Sequence, residues 1–201
     1  MRDPDALAAV VGSVYERRGR LDGVVAGAGI MNNVLLAEKT IDVFTDVYAT
    51  KVDSLRTLLQ SIRGELGFLL VFSSAVGHTG NRGQIDYTAA NDALDTITRA
   101  NADRARRVLV VDWGPWDSAL GMVYDELGKL MEAVGIGLIS PAEGTGCVLG
   151  DLAHTEANQL MIIRAEPQLI GARDDGPGGA VVAGSANGAV VAAVAQGAGP
   201  A

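Results

Sequence analysis

The chain has 201 residues, 48% of them apolar and only 4% aromatic, enough for one core filled mainly by valine, alanine and leucine. A formal charge of −8 leaves no surplus of lysine and arginine to neutralise phosphates, which argues against a nucleic-acid partner. The single cysteine, Cys147, excludes an intramolecular disulfide and fits a reducing, cytoplasmic setting. The first residues lack the apolar core of a signal peptide, and the uncharged tail holds too much glycine, serine, asparagine and glutamine for a membrane span.

Asp3 followed by Pro4 marks a helix start and predicts a helix to about Arg18. Leu21 to Ala28 reads as a strand. Thr40, with Asp42 in the first turn, opens a second helix to about Arg63, and Phe68 to Ser73 is a continuous apolar run expected of a strand buried on both faces. A third helix follows, then a strand from Val108 to Asp112. Ser140-Pro-Ala-Glu143 is a capping box for a helix ending near His154, and Leu160 to Arg164 is the last strand of the series. Four strands alternating with helices predict an α/β fold with right-handed crossovers and a parallel sheet. Residues 172–201, nearly all glycine, alanine and valine, are expected to be a disordered tail or linker.

The third helix carries Asp86-Tyr-Thr-Ala-Ala-Asn91, which puts Tyr87 and Asn91 on one face. Ser74 ends the preceding strand-like run, and Lys51 lies on the second helix. A phenol is a poor acid near neutrality, and an ammonium beside it favours the phenolate. Lys51 is the candidate for that role. Ser74 would hydrogen-bond a substrate carbonyl, Tyr87 would protonate it, and Asn91 would hold the lysine or a water. Each residue taken singly has an ordinary packing or surface role; the set is what points to chemistry. His78 and His154 have no neighbours that suggest a metal, and none is expected.

These residues resemble the short-chain dehydrogenase/reductase superfamily, and more closely the ketoreductase domains of polyketide and polyunsaturated-fatty-acid synthases. Free-standing members usually show Tyr-x-x-x-Lys; the synthase domains show Tyr-x-x-x-Asn with lysine upstream in a Lys-Val-Asp-like segment, as in Tyr87 to Asn91 and Lys51-Val52-Asp53 here. Gly23-Val-Val-Ala-Gly-Ala-Gly29, Phe72-Ser-Ser-Ala-Val-Gly77, Gly80-Asn-Arg-Gly-Gln84 and Asp112-Trp-Gly-Pro-Trp116 also match. The resemblance runs from about residue 3 to about 171 and implies an α/β, Rossmann-like doubly wound parallel sheet, truncated to about four strands, as a partial domain over residues 1–171. It implies catalytic roles for Tyr87, Ser74, Lys51 and Asn91, and NADPH held near Ala28, Gly29, Gly114 and Pro115. It also implies an acyl arm passing Gln84 and Trp116, and a substrate-covering lid between Asp117 and Ile139, where the apolar side chains equally suit ordinary core. The implied partners are an acyl carrier protein bearing a β-ketoacyl chain and other synthase domains. Neither familiar stereochemical fingerprint is present, since Met31-Asn32-Asn33 stands in place of Leu-Asp-Asp and Thr79 near a tryptophan position.

The Gly-x-Gly-x-x-Gly turn that approaches a dinucleotide pyrophosphate does not occur in this chain. By the resemblance, the chain would start just after the third strand of the domain, with Met1-Arg2-Asp3 as the remnant of an Asp-Val-Arg-Asp segment, and would hold the catalytic half. Two expectations follow: a β-ketoacyl reductase, or a non-catalytic half-domain that needs a partner or upstream sequence to bind cofactor. Either way the edge at Leu21 to Ala28 would be unpaired, so marginal stability or self-association is expected.

Overall fold

The computed structural model describes residues 2–117, 129, 131, 133, 135–154, 157–165, 180–184 and 190–194. The chain divides into two compact units, Met1–Val110 and Val111–Ala201.

The first unit opens with α1, Pro4–Arg18. Asp3 caps it by accepting from the Ala6 amide, and Gly19 closes it at φ 73°, a left-handed conformation that glycine adopts without penalty. Strand β1, Gly23–Ala26, follows. Helix α2, Ile41–Ser61, begins where Thr40 accepts from the Val43 amide. Strand β2, Leu66–Ser74, leads into the short α3, Val76–Thr79, and then into α4, Ile85–Arg99. Strand β3, Ala105–Trp113, continues into the second unit.

β1 and β2 are parallel, with Gly23 opposite Phe68 and Ala26 opposite Val71, and β3 lies on the other side of β2. The core joins Leu55 and Leu59 of α2, and Ile62 just after it, to Leu69 and Val71 of β2, Leu94 of α4, and Val108 and Val110 of β3. A smaller cluster packs Leu7, Val11 and Tyr15 of α1 on Leu58. The fold is α/β and Rossmann-like, as expected.

In the second unit, α5 spans Pro141–His154 and β5 spans Gln159–Ala165. The capping box forms as read: Ser140 Oγ accepts from the Glu143 amide at 3.3 Å, and Glu143 Oε2 accepts from the Ser140 amide at 2.9 Å. Three strands were not expected. β4, Ile136–Gly137, and β7, Val190–Val194, both run antiparallel to β5, and β6, Ala180–Gly184, runs antiparallel to β7. The strands are thus mixed in direction rather than all parallel, and the span read as a tail contains two of them. Two residues are too few to show a period, and a glycine–alanine–valine sequence offers no polar–apolar alternation. Most of the span expected to form the lid, residues 118–128 together with 130, 132 and 134, lies outside the described residues.

Candidate active site

The buried positions of α2, among them Val47, Lys51, Ser54, Leu55 and Leu58, recur at helical spacing. Lys51 therefore sits on the stripe that faces the core, at 5% exposure. Its Nζ donates to the Phe72 carbonyl at 3.1 Å and lies 5.4 Å from the centroid of the Tyr87 ring. Burial lowers the Lys51 pKa from 10.5 to about 8, a shift partly opposed by the Asp95 carboxylate.

Ser74 is the last residue of β2, and its Oγ accepts from the Val76 amide at 3.3 Å where the chain turns into α3. Next to it, Ser73 Oγ donates to the Asn91 carbonyl at 3.3 Å, tying the strand end to α4. Tyr87 and Asn91 stand one turn apart on α4. Asn91 is fully buried; its Nδ2 donates to the Tyr87 carbonyl at 2.7 Å, and its Oδ1 is a buried acceptor with no hydrogen-bond partner. Burial raises the Tyr87 phenol above its ordinary value, while hydrogen bonds with Ser74 and Asn91 pull it back down. The first unit thus gathers Ser74, Lys51 and Asn91 around the Tyr87 side chain.

Gln84 stands at the N-cap of α4. It is 5% exposed, its Nε2 donates to Asn33 Oδ1 at 2.9 Å and to Met31 Sδ at 3.4 Å, and its Oε1 accepts from Asn81 Nδ2 at 3.0 Å. Both amide protons are engaged, so this side chain braces the Met31–Asn33 loop. Ala28 and Gly29 follow β1 at its carboxyl end.

The remaining expected contacts, Gly114, Pro115 and Trp116, belong to the second unit. They follow β3 directly, and the Gly114 amide donates to the Ile162 carbonyl at 2.7 Å. A Cβ on Gly114 would stand 3.2 Å from the Ile163 Cα, so the backbone packs closely there. Trp116 meets Trp113 edge-on, centroids 4.6 Å apart, and leaves no room for a side chain at Gly144.

Sequence reading passed over Lys39 and gave Asp86 no role beyond preceding Tyr87. They form an ion pair at 2.7 Å with side chains 2% and 0% exposed. Nothing local marks a lysine and an aspartate 47 residues apart as buried partners.

A family profile described as "KR domain" matches residues 1–118. A polyunsaturated fatty acid synthase polypeptide from Thraustochytrium sp. is 37% identical over 141 residues, which is 70% of this chain and 5% of that protein. Polyketide synthase PksN from Bacillus subtilis is 32% identical over 169 residues, 80% of this chain and 3% of the synthase. A solved ketoreductase domain from the bacillaene assembly line superposes with a TM-score of 0.75 at 26% identity, over 83% of this chain and 42% of that one. The chain therefore spans a small part of the curated relatives it matches.

Proposed function

Because the chain belongs to the KR-domain family, we propose that it reduces a β-ketoacyl thioester, presented on an acyl carrier protein, to the β-hydroxyacyl form with NADPH as reductant. The observation that carries this reading is the meeting of Ser74, Lys51 and Asn91 at the Tyr87 phenol. The same family makes other synthase domains its natural neighbours. The lone cysteine supports a cytoplasmic setting, and among the described residues no helix is long and apolar enough to cross a membrane.

The residues present fit the nicotinamide end of such a cofactor. β1 and β2 are parallel and adjacent, so Ala28, Gly29 and Ser74 all lie at carboxyl strand ends, where open α/β sheets take ligands. Gly114 and Pro115 follow β3 directly and belong to the second unit. NADPH, when bound, supplies a hydride to the carbonyl carbon and becomes NADP⁺. Tyr87 gives its phenolic proton to the carbonyl oxygen, which completes the alcohol and leaves a phenolate. Lys51 stabilises that phenolate with its charge. The Ser74 oxygen accepts from Val76 at the end of β2, which fixes its hydroxyl beside the phenol to orient the substrate carbonyl. Oδ1 of Asn91 is a buried acceptor suited to a water or an ammonium.

The test is NADPH oxidation by the full-length protein with a short β-ketoacyl thioester. The parent is expected to turn over, and Tyr87→Phe to lose about 10²- to 10⁴-fold in kcat with unchanged circular dichroism. A Phe variant as fast as the parent would sink the mechanism. A folded parent inactive on both free and carrier-bound thioesters would sink the function.

A second reading, that cofactor binding needs a further segment or partner, is favoured by β1. It is the outer strand of the first unit, and its Val25 is 53% exposed. Tight NADPH binding by the 201-residue chain alone would exclude it.

A further inference from the structure

We propose that the buried pair Lys39–Asp86 is a positioning device for Tyr87, an assignment that rests on the reductase reading above. Lys39 Nζ donates to Asp86 Oδ2 at 2.7 Å and to the Asn32 carbonyl at 2.8 Å. The other carboxylate oxygen, Asp86 Oδ1, accepts from the Tyr87 amide at 2.9 Å. One carboxylate therefore bridges the lysine and the backbone of the candidate proton donor. Gln84, at the N-cap of α4, makes no side-chain capping bond, so Asp86 supplies the acceptor that the first turn would otherwise lack.

Two further bonds run alongside. The Val34 amide donates to the Gly83 carbonyl at 3.1 Å, and Gln84 donates to Asn33. The segment from Met31 to Lys39 is thus fastened at three points to Gly83, Gln84 and Asp86. On the fastened parts Leu35, Leu36 and Ile85 are 41%, 69% and 42% exposed, so the tether holds an apolar ledge at the start of α4.

Stability is a poor reason for such a pair. Burying two charges costs more in desolvation than neutral packing of the same volume, whereas a fixed ion pair holds two segments in one register. What it holds here is the residue next to it, Tyr87. Misplacing a reacting group by about 1 Å can cost around a hundredfold in rate.

The double variant K39M/D86N is uncharged and nearly isosteric, so it avoids the stranded charge that either single change would leave. In the full-length protein its kcat is expected to fall about 10- to 100-fold, with KM for NADPH and the thermal midpoint close to the parent's. Amide hydrogen exchange is expected to quicken at Tyr87 and over residues 31–40, and not in β2. Lys39→Arg, which keeps the charge, is expected to retain more activity than Lys39→Met. A folded double variant with parent-like kcat would overturn the assignment, and so would exchange quickened throughout α2 and β2. If the parent reduces no β-ketoacyl thioester, the reductase reading fails separately. Exchange then decides the tether alone: local quickening keeps it, and unchanged exchange removes it.

Discussion

Lys51 Nζ stands 5.4 Å from the centroid of the Tyr87 ring, and burial pushes the two groups in opposite directions, the amine down and the phenol up. Both shifts disfavour charge. The pair is therefore poised so that the lysine proton is held loosely while the phenol keeps its own until a carbonyl oxygen can take it.

The first consequence concerns activity against pH. With Lys51 at about 8, the ammonium that supports the phenolate is present in neutral solution and is lost as the pH rises through that value. Ketone reduction by the full-length protein is expected to decline on the alkaline side with a midpoint near 8. A rate flat from neutrality to a pH of about 10 would show that the lysine charge does not matter to the step.

Stability should respond the other way. Below a pH of about 8 both folded and unfolded states carry the Lys51 proton, and the folded state bears the full cost of burying it; between about 8 and 10.5 the folded state releases it first, so stability rises with pH across that window. A drop from 10.5 to about 8 corresponds to roughly 3 kcal/mol. Lys51→Met is expected to raise stability at neutral pH by up to about that amount, to flatten the rise above a pH of about 8, and to remove turnover. Denaturant melts at neutral and alkaline pH check it, and a destabilised variant would show that the hydrogen bond to Phe72 outweighs desolvation.

What the sequence disclosed follows from how local each feature is. The Asp3 cap, the Ser140–Glu143 box and the shared face of Tyr87 and Asn91 depend on residues three or four apart, so spacing was enough to read them. Lys51 sits on the buried stripe of an amphipathic helix, which is visible as a pattern, but the role proposed for it rests on its belonging to a set with Ser74, Tyr87 and Asn91. The Lys39–Asp86 pair and the engagement of Gln84 by Asn33 and Met31 join segments far apart in the chain. No periodicity encodes such contacts. The same limit hid β6 and β7 in a sequence without contrast, although β1, β2, β3 and β5 were legible.

Gly77 tests how closely α3 must sit on the helix that carries the site. A Cβ added there would stand 3.2 Å from both the Asn91 Cβ and the Asp92 amide nitrogen, inside ordinary carbon contact distance. Gly77→Ala is expected to push α3 and α4 apart, costing about 1–3 kcal/mol, with a kcat loss larger than the stability change alone would give because Asn91 moves. Parent-like kcat in the variant would show that the shift is absorbed by α3 alone.

The exposed edge of β1 supplies the last prediction. In register with β2, Val25 lies opposite Leu70, yet the residue is 53% exposed and the far side of the strand carries no partner among the described residues. An apolar strand edge of this kind pairs readily with another chain, and a lysine on it opposes such pairing. The 201-residue chain is therefore expected to sediment with a weight that grows with concentration, and Val25→Lys to shift it toward monomer. Since Val25 is largely in water, the substitution should change stability by no more than about 0.5 kcal/mol. A parent that stays monomeric at every concentration and melts cooperatively well above room temperature would show that this edge needs no cover.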